Sequence, residues 1–373
     1  MSEPSEAESK PSPHATPRLA ALLTGPFEIR SIALTGLFGL AIVYTMYFTR
    51  AILLPIVLAM LLSQLLAPLV RLLGKCRIPQ MAGSGIILLF FCGVFVSGIS
   101  LLAGPMRGWI DKAPQGLHDI EAKLAPLIKT PMKKMSEASG EMKQLASDTS
   151  GTDKKTVVVE DHSLIPAFLY TQTPDIVGSA LTLLILLYFL LGYNGVFLNK
   201  LVKVIPRFRD KKLAVTIASD IEKKISSYLI TVTFINFGLG CAIAIAMYFL
   251  GLPNPVLWGV AAAILNFVPY LGPFTGVLAM TVAAVLSFDS FAHALVFPGV
   301  YILFAIIEGN FITPMLLGRS LTLNPVAILI SLMFWGWLWG IVGVILAVPL
   351  LATMKILCDH IEPLSPLGEF MSE

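Results

Sequence analysis

One carboxylate stands alone in a long apolar stretch: Glu308 is the sole acidic residue between Asp289 and Asp359. An ionisable group in such surroundings is costly, so it marks either an ion or proton site or a paired structural charge. Its nearest cationic candidate in sequence is Arg319. Asn310 and Thr313 follow it, and Asn266 and, more weakly, Asn236 are further uncharged polar groups in apolar runs. Each alone is explained by a helix-to-helix hydrogen bond. Together they can line one polar cavity. Gly309 and Pro314 put Glu308 on a loosened helix, and Pro269, Gly272 and Pro273 interrupt the run behind Asn266. No phosphate loop, nucleophile with its base, or metal cluster is recognisable, so neither a catalytic residue nor a metal or cofactor is expected. An enzyme reading has no residues to support it.

The elements that must hold these groups follow from composition. Of 373 residues, 56% are hydrophobic and 13% charged, and the mean hydropathy is +0.82. Soluble domains carry about 25% charged residues, so much of this surface must face lipid. The expected fold class is an all-α integral membrane protein with about eight hydrophobic helical segments, some broken or re-entrant, and an amphipathic outer insertion. A net charge of +3, with its bases gathered in loops, leaves no basic face for nucleic acid. The lipid bilayer is the first partner.

Residues 1–30 read as a disordered cytoplasmic tail without the apolar core of a signal peptide. Residues 31–106 hold three apolar runs, 31–48, 51–70 and 78–106, the first two joined by a very tight turn at Thr49 and Arg50. Residues 107–175 form the long polar insertion, in which Leu117, Ile120, Leu124 and Leu127 recur at helical spacing; residues 146–163 read as a loop. A fourth span and a basic loop fill 176–224. Leu213, Ile217, Ile221 and Ile225 make a stripe that leads into the fifth span. Residues 225–357 are the core with broken helices, and 358–373 a second cytoplasmic tail. The basic loops after the second and fourth spans place both termini in the cytoplasm.

Residues 225–288 carry no Asp, Glu, Lys, Arg or His and are too long for one crossing, so the chain folds back at least once. Two stretches share a layout. Asn254 and Pro255 open one, Asn324 and Pro325 the other, each an N-cap and first-turn signal. Each then meets a break, at Pro269 to Pro273 in the first and at Gly336, Gly340 and Gly343 in the second. Halves of about 21 to 24 Å are too short to cross a bilayer core of about 30 Å. Each stretch is either a re-entrant hairpin or a single kinked span, and the hairpin is favoured because it leaves Arg319 on the cytoplasmic side. Breaks at matching positions point to a solute site, because unwound backbone frees N–H and C=O groups. The tryptophans Trp335, Trp337 and Trp339 suit a crowded helix contact better than a binding role.

The motifs Asn266-Phe267-Val268-Pro269-Tyr270-Leu271-Gly272-Pro273, Glu308-Gly309-Asn310-Phe311-Ile312-Thr313-Pro314, Leu323-Asn324-Pro325 and Trp339-Gly340-Ile341-Val342-Gly343 resemble those of the AI-2E transporters, the autoinducer-2 exporter family. The likeness extends over most of the chain after the first tail. It implies an eight-helix-type protomer in the bacterial cytoplasmic membrane, assembled as a homo-oligomer, a pentamer, with an elevator-like movement. It implies export of a small polar solute such as the quorum-sensing signal autoinducer-2. The alternative is a Na+(Li+)/H+ antiporter, with a monovalent cation and a proton as partners. A non-transporting membrane scaffold is the reading from another class.

Overall fold

The computed structural model describes residues 29–140, 164–193, 208–317 and 323–372; for 29–32, 112–140, 164–176 and 208–210 it describes the backbone alone. Every regular element among them is helical. The chain divides into two units at Arg50. The first ends with α1 (Ile29–Phe48), whose side chains from Leu34 to Phe48 are largely exposed and apolar, as lipid contact requires.

Next in the chain is α2 (Arg50–Lys75), which belongs to the second unit from Ala51 on and stays one helix through Pro55 and Pro68. Next comes α3 (Gln80–Gly140), a helix of 61 residues that continues from the third apolar run straight into the polar insertion. The side chains of Leu117, Ile120, Leu124 and Leu127, and the loop expected at 146–163, lie outside the description. The fourth run is α4 (Leu164–Gly192). It packs on α2 and α3 through Leu187 and Leu191, which meet Ala59, Leu66, Ala67 and Val70.

The fifth, α5 (Phe208–Phe249), is one helix of 42 residues that merges the interfacial stripe with the span. Of that stripe only the far end is buried: Leu213 is 44% exposed and Ile225 1%. An ion pair from Arg71 to Glu222 and a hydrogen bond from Ser226 Oγ to the Gln64 carbonyl (2.8 Å) join α5 to α2.

The charge-free stretch folds back twice. After a turn through Gly251, α6 (Pro255–Leu265) runs back along α5, and α7 (Leu271–Ser287) then reverses again. The return of α6 depends on small residues. A Cβ on Gly240 would lie 2.7 Å from the Gly259 carbonyl oxygen and 2.8 Å from the Ala263 Cβ, and one on Gly259 would overlap Ala244. Gly240 with Ala244 on one helix, and Gly259 with Ala263 on the other, give the small-xxx-small spacing that lets backbones touch in lipid. At the tip, Gly272 rests on the Leu265 carbonyl where no side chain fits, and Tyr270 takes a positive φ of 63°.

The short α8 (Phe291–Ala294) and α9 (Val296–Ile307) lead into a π-helical turn, Glu308–Ile312, and then α10 (Thr313–Leu317). The loosening expected at Glu308 is therefore a single wide turn, in which each bond skips one more residue than in an α-helix.

The last apolar stretch, α11 (Pro325–His360), has the length of a crossing at 36 residues. It is folded nevertheless. Gly340, at φ 65° and ψ −146°, breaks it, and Ser331 Oγ donates to the carbonyl of Ala347 at 2.9 Å across 16 positions. In a straight helix those groups would stand about 24 Å apart. Gly343 lies against the Trp335 carbonyl, and a Cβ on Gly336 would come within 2.8 Å of Val344. Both broken stretches are thus hairpins rather than kinked spans.

The shared Asn-Pro opening has two different causes. Asn324 caps as expected, accepting from the Val326 N–H at 2.9 Å. Asn254 does not: it sits in the left-handed region (φ 56°, ψ 53°) and its side chain makes no capping bond. The tight return from α5 demands that backbone, which asparagine tolerates better than most residues. The final residues are folded as well. After a 3-10 turn, α12 (Ser365–Phe370) leads to Met371, whose carbonyl accepts from the Asn324 N–H at 3.0 Å and whose side chain joins Ala327, Leu351 and Cys358.

Candidate functional site

The tip of the α6–α7 hairpin, the wide turn after α9 and one face of α5 border an open cavity of about 820 Å³. Tyr228, Val232 and Asn236, each four residues from the next, give α5 one stripe toward it. Its polar groups include Glu308 and Asn310 on the wide turn, Thr313 at the start of α10, and Asn236 and Asn266 opposite. Leu317 and Leu323 close one side, with Ile328 and Val348 from the α11 hairpin.

Two pairs organise these groups. Asn266 Nδ2 donates to Asn236 Oδ1 at 2.9 Å, joining the hairpin tip to α5. Asn236 is 2% exposed, and its own Nδ2 is buried without a hydrogen-bond partner. A single bond between two amides always leaves one NH2 group and one carbonyl oxygen with capacity to spare. In an apolar setting, a donor left in that state costs about 1–3 kcal/mol until a partner arrives. In the other pair, the Thr313 hydroxyl donates to Glu308 Oε1, five residues back. That spacing suits a π-turn, since it closes rings one residue larger than the α-helix does. Asn310 Nδ2 bonds the Ile306 carbonyl at 2.9 Å, so part of its amide capacity goes to its own helix.

The candidates divide accordingly. Glu308, Gly309, Asn310, Thr313, Asn266, Pro269, Pro273 and Asn236 all line the one cavity. Gly272 lies behind the wall, packed on Leu265. Pro314, Asn254, Pro255, Asn324, Pro325, Gly340 and Gly343 are not among the lining residues and shape the helix ends and turns. Arg319 lies outside the described residues. Trp335 and Trp339 are 7% and 5% exposed and pack on one another, ring centres 4.7 Å apart, at the tip of the α11 hairpin. They make a helix contact away from the cavity wall.

Sequence reasoning missed Tyr228, Phe274 and the aliphatic wall, because an apolar or aromatic residue in a span has no mark that distinguishes cavity from lipid. The four-residue steps from Tyr228 to Val232 to Asn236 were the available signal.

Lipid-facing spans, two folded-back hairpins and a largely apolar cavity that gathers a few polar groups beside a broken helix define a multi-pass, all-α membrane transport protein. Its family follows from comparison with known proteins: residues 37–362 match the AI-2E family transporter model, and the chain belongs to that family of transporters, not of enzymes. It is 26% identical over 313 residues to the AI-2 transport protein TqsA of Escherichia coli (strain K12), covering 84% of this chain and 87% of that one. It is also 26% identical over 314 residues to YueF of Bacillus subtilis (strain 168), covering 83% and 84%. To YrrI of the same organism it is 36% identical, over 142 residues and 38% of this chain.

Proposed function

We propose that this chain is a secondary transporter that exports a small polar solute such as autoinducer-2, with the cavity at Glu308 as its solute site. The observation that carries the reading is the meeting of Asn236, Asn266, Glu308 and Thr313 on one cavity between interrupted helices. Solute binding engages the spare amide hydrogens of Asn266 and Asn310 and the Glu308 carboxylate. The name of the TqsA protein supports autoinducer-2 as the first solute to assay.

The α6–α7 hairpin and the helix that bears Glu308 form the moving part, in an elevator-like displacement against α2, α3 and α4. Protomers assemble as a homo-oligomer, a pentamer, in the bacterial cytoplasmic membrane with both termini inside. The broken helices serve as hinge and site together, because they hold peptide groups that need partners inside lipid.

A second reading is favoured by one specific contact. The Glu308 carboxylate with the Thr313 hydroxyl beside it is an oxygen-rich group suited to a monovalent cation or a proton, as a Na+(Li+)/H+ antiporter needs. Purified protein in liposomes separates the two. Export reads as autoinducer-2 flux, antiport as sodium-driven proton movement, and Glu308→Gln abolishes whichever depends on the carboxylate. Proton movement lost while signal flux persists defeats signal export as the whole account; no flux of either kind defeats both.

A further inference from the structure

The cavity carries more information about its solute than polarity alone, and this inference rests on its being the solute site. Four aromatic side chains, Tyr228, Phe267, Tyr270 and Phe274, share its wall with the Glu308 carboxylate. Among the described residues that line it, none is Lys, Arg or His. At about 820 Å³ it has room for an organic molecule of drug size, whereas a bare monovalent cation fills a small fraction of such a space. An aromatic face attracts cations through its quadrupole, and aromatic walls beside a negative group are how proteins recognise alkylated ammonium ions. The Asn266 and Asn310 amides on the wall each spend one Nδ2 hydrogen, on Asn236 Oδ1 and on the Ile306 carbonyl; the second hydrogen of each adds one requirement, an acceptor on the same molecule.

We infer that the solute class of this site is an organic ammonium ion that also bears a hydroxyl or carbonyl oxygen. The ammonium lies between the aromatic rings and Glu308, and its oxygen accepts from the spare N–H of Asn266 or Asn310. Desolvation explains why this class fits better than a purely hydrophilic one. A weakly hydrated ammonium gives up little water on entering, and its alkyl groups cover the apolar wall.

Choline is a direct probe, since it joins a quaternary ammonium to a hydroxyl; 3,3-dimethylbutan-1-ol has the same shape without the charge. Radiolabelled choline binding to the purified full chain, and its uptake into proteoliposomes, are measured beside autoinducer-2 flux in the same preparation. The expected result is saturable choline binding, competed at least about tenfold less well by the neutral isostere, and weakened about tenfold or more by Glu308→Gln and by Phe274→Leu. Size-exclusion profiles of the variants confirm folding, and Glu308→Asp, which keeps the charge, retains binding. Equal competition by the neutral isostere, or choline binding indifferent to Glu308→Gln, overturns the inference. Absent choline binding alongside intact autoinducer-2 flux also overturns it, and leaves the transport reading standing. Flux of neither solute removes both.

Discussion

Tyr301 holds its hydroxyl against the Cα of Gly276, in the space where any other residue would place its Cβ. The tyrosine is 2% exposed and its hydroxyl is buried without a hydrogen-bond partner. Contact between α7 and α9 therefore depends on a missing side chain rather than on a polar bond. Gly276→Ala should destabilise the protein by about 1–3 kcal/mol through overpacking. Tyr301→Phe should be neutral or stabilising, since it deletes an unsatisfied buried hydroxyl, and should relieve part of the Gly276→Ala defect. Thermal unfolding in detergent checks all three; a Tyr301→Phe variant much less stable than the parent would show that the hydroxyl has a partner.

The amide pair gives a second prediction. Asn266→Leu should cost about 1–3 kcal/mol, because it leaves the buried Asn236 amide unpaired; Asn236→Leu should cost less, because the half-buried Asn266 amide it leaves behind lines the cavity. The double variant should cost less than the two singles added together. A double-mutant cycle measures this, and strict additivity would mean the 2.9 Å contact contributes nothing.

Gly340 supplies the third. Its φ of 65° with ψ of −146° is a conformation that glycine alone adopts readily, so Gly340→Ala should cost about 1–3 kcal/mol and loosen the α11 hairpin. Paired cysteines at Ser331 and Ala347 report the fold directly. They should form an intramolecular disulfide readily in the parent and less completely in the Gly340→Ala background. No crosslink in either would mean an extended α11.

At the other end of that hairpin, His360 Nε2 faces Asp220 Oδ2 at 3.1 Å while its Nδ1 faces the Ile356 carbonyl at 2.8 Å. His360→Leu, which offers neither acceptor a donor, should weaken the hold of α11 on α5. Limited proteolysis across the final residues tests this, with faster cleavage in the variant expected and an unchanged rate counting against the contact.

How much of this was legible beforehand depends on whether a residue contrasts with its surroundings. Glu308, Asn266 and the Gly-Pro interruptions stand out because charge, amide and helix breaker are each expensive in an apolar run, and the cavity gathers the first two with Pro269, Pro273 and Gly309. Tyr228, Tyr301 and the Gly240–Gly259 crossing do not stand out. In a membrane both the lipid side and the packed side of a helix are apolar, so periodicity does not say which face meets a neighbour. Asn254 misled for another reason: Asn before Pro signals a cap, but a tight return can claim the same residue for its left-handed backbone. The length of α3 was hidden because a charged, amphipathic stretch can continue an apolar helix without any change in backbone.

The solute path through the cavity can be tested at Thr313. In protein whose four cysteines are replaced, Thr313→Cys should react with a small charged thiol reagent, and the modified protein should lose solute flux in proteoliposomes. Transported solute should slow the reaction. Complete modification at Thr313→Cys with undiminished flux would contradict the account, because solute would then be crossing by some other route.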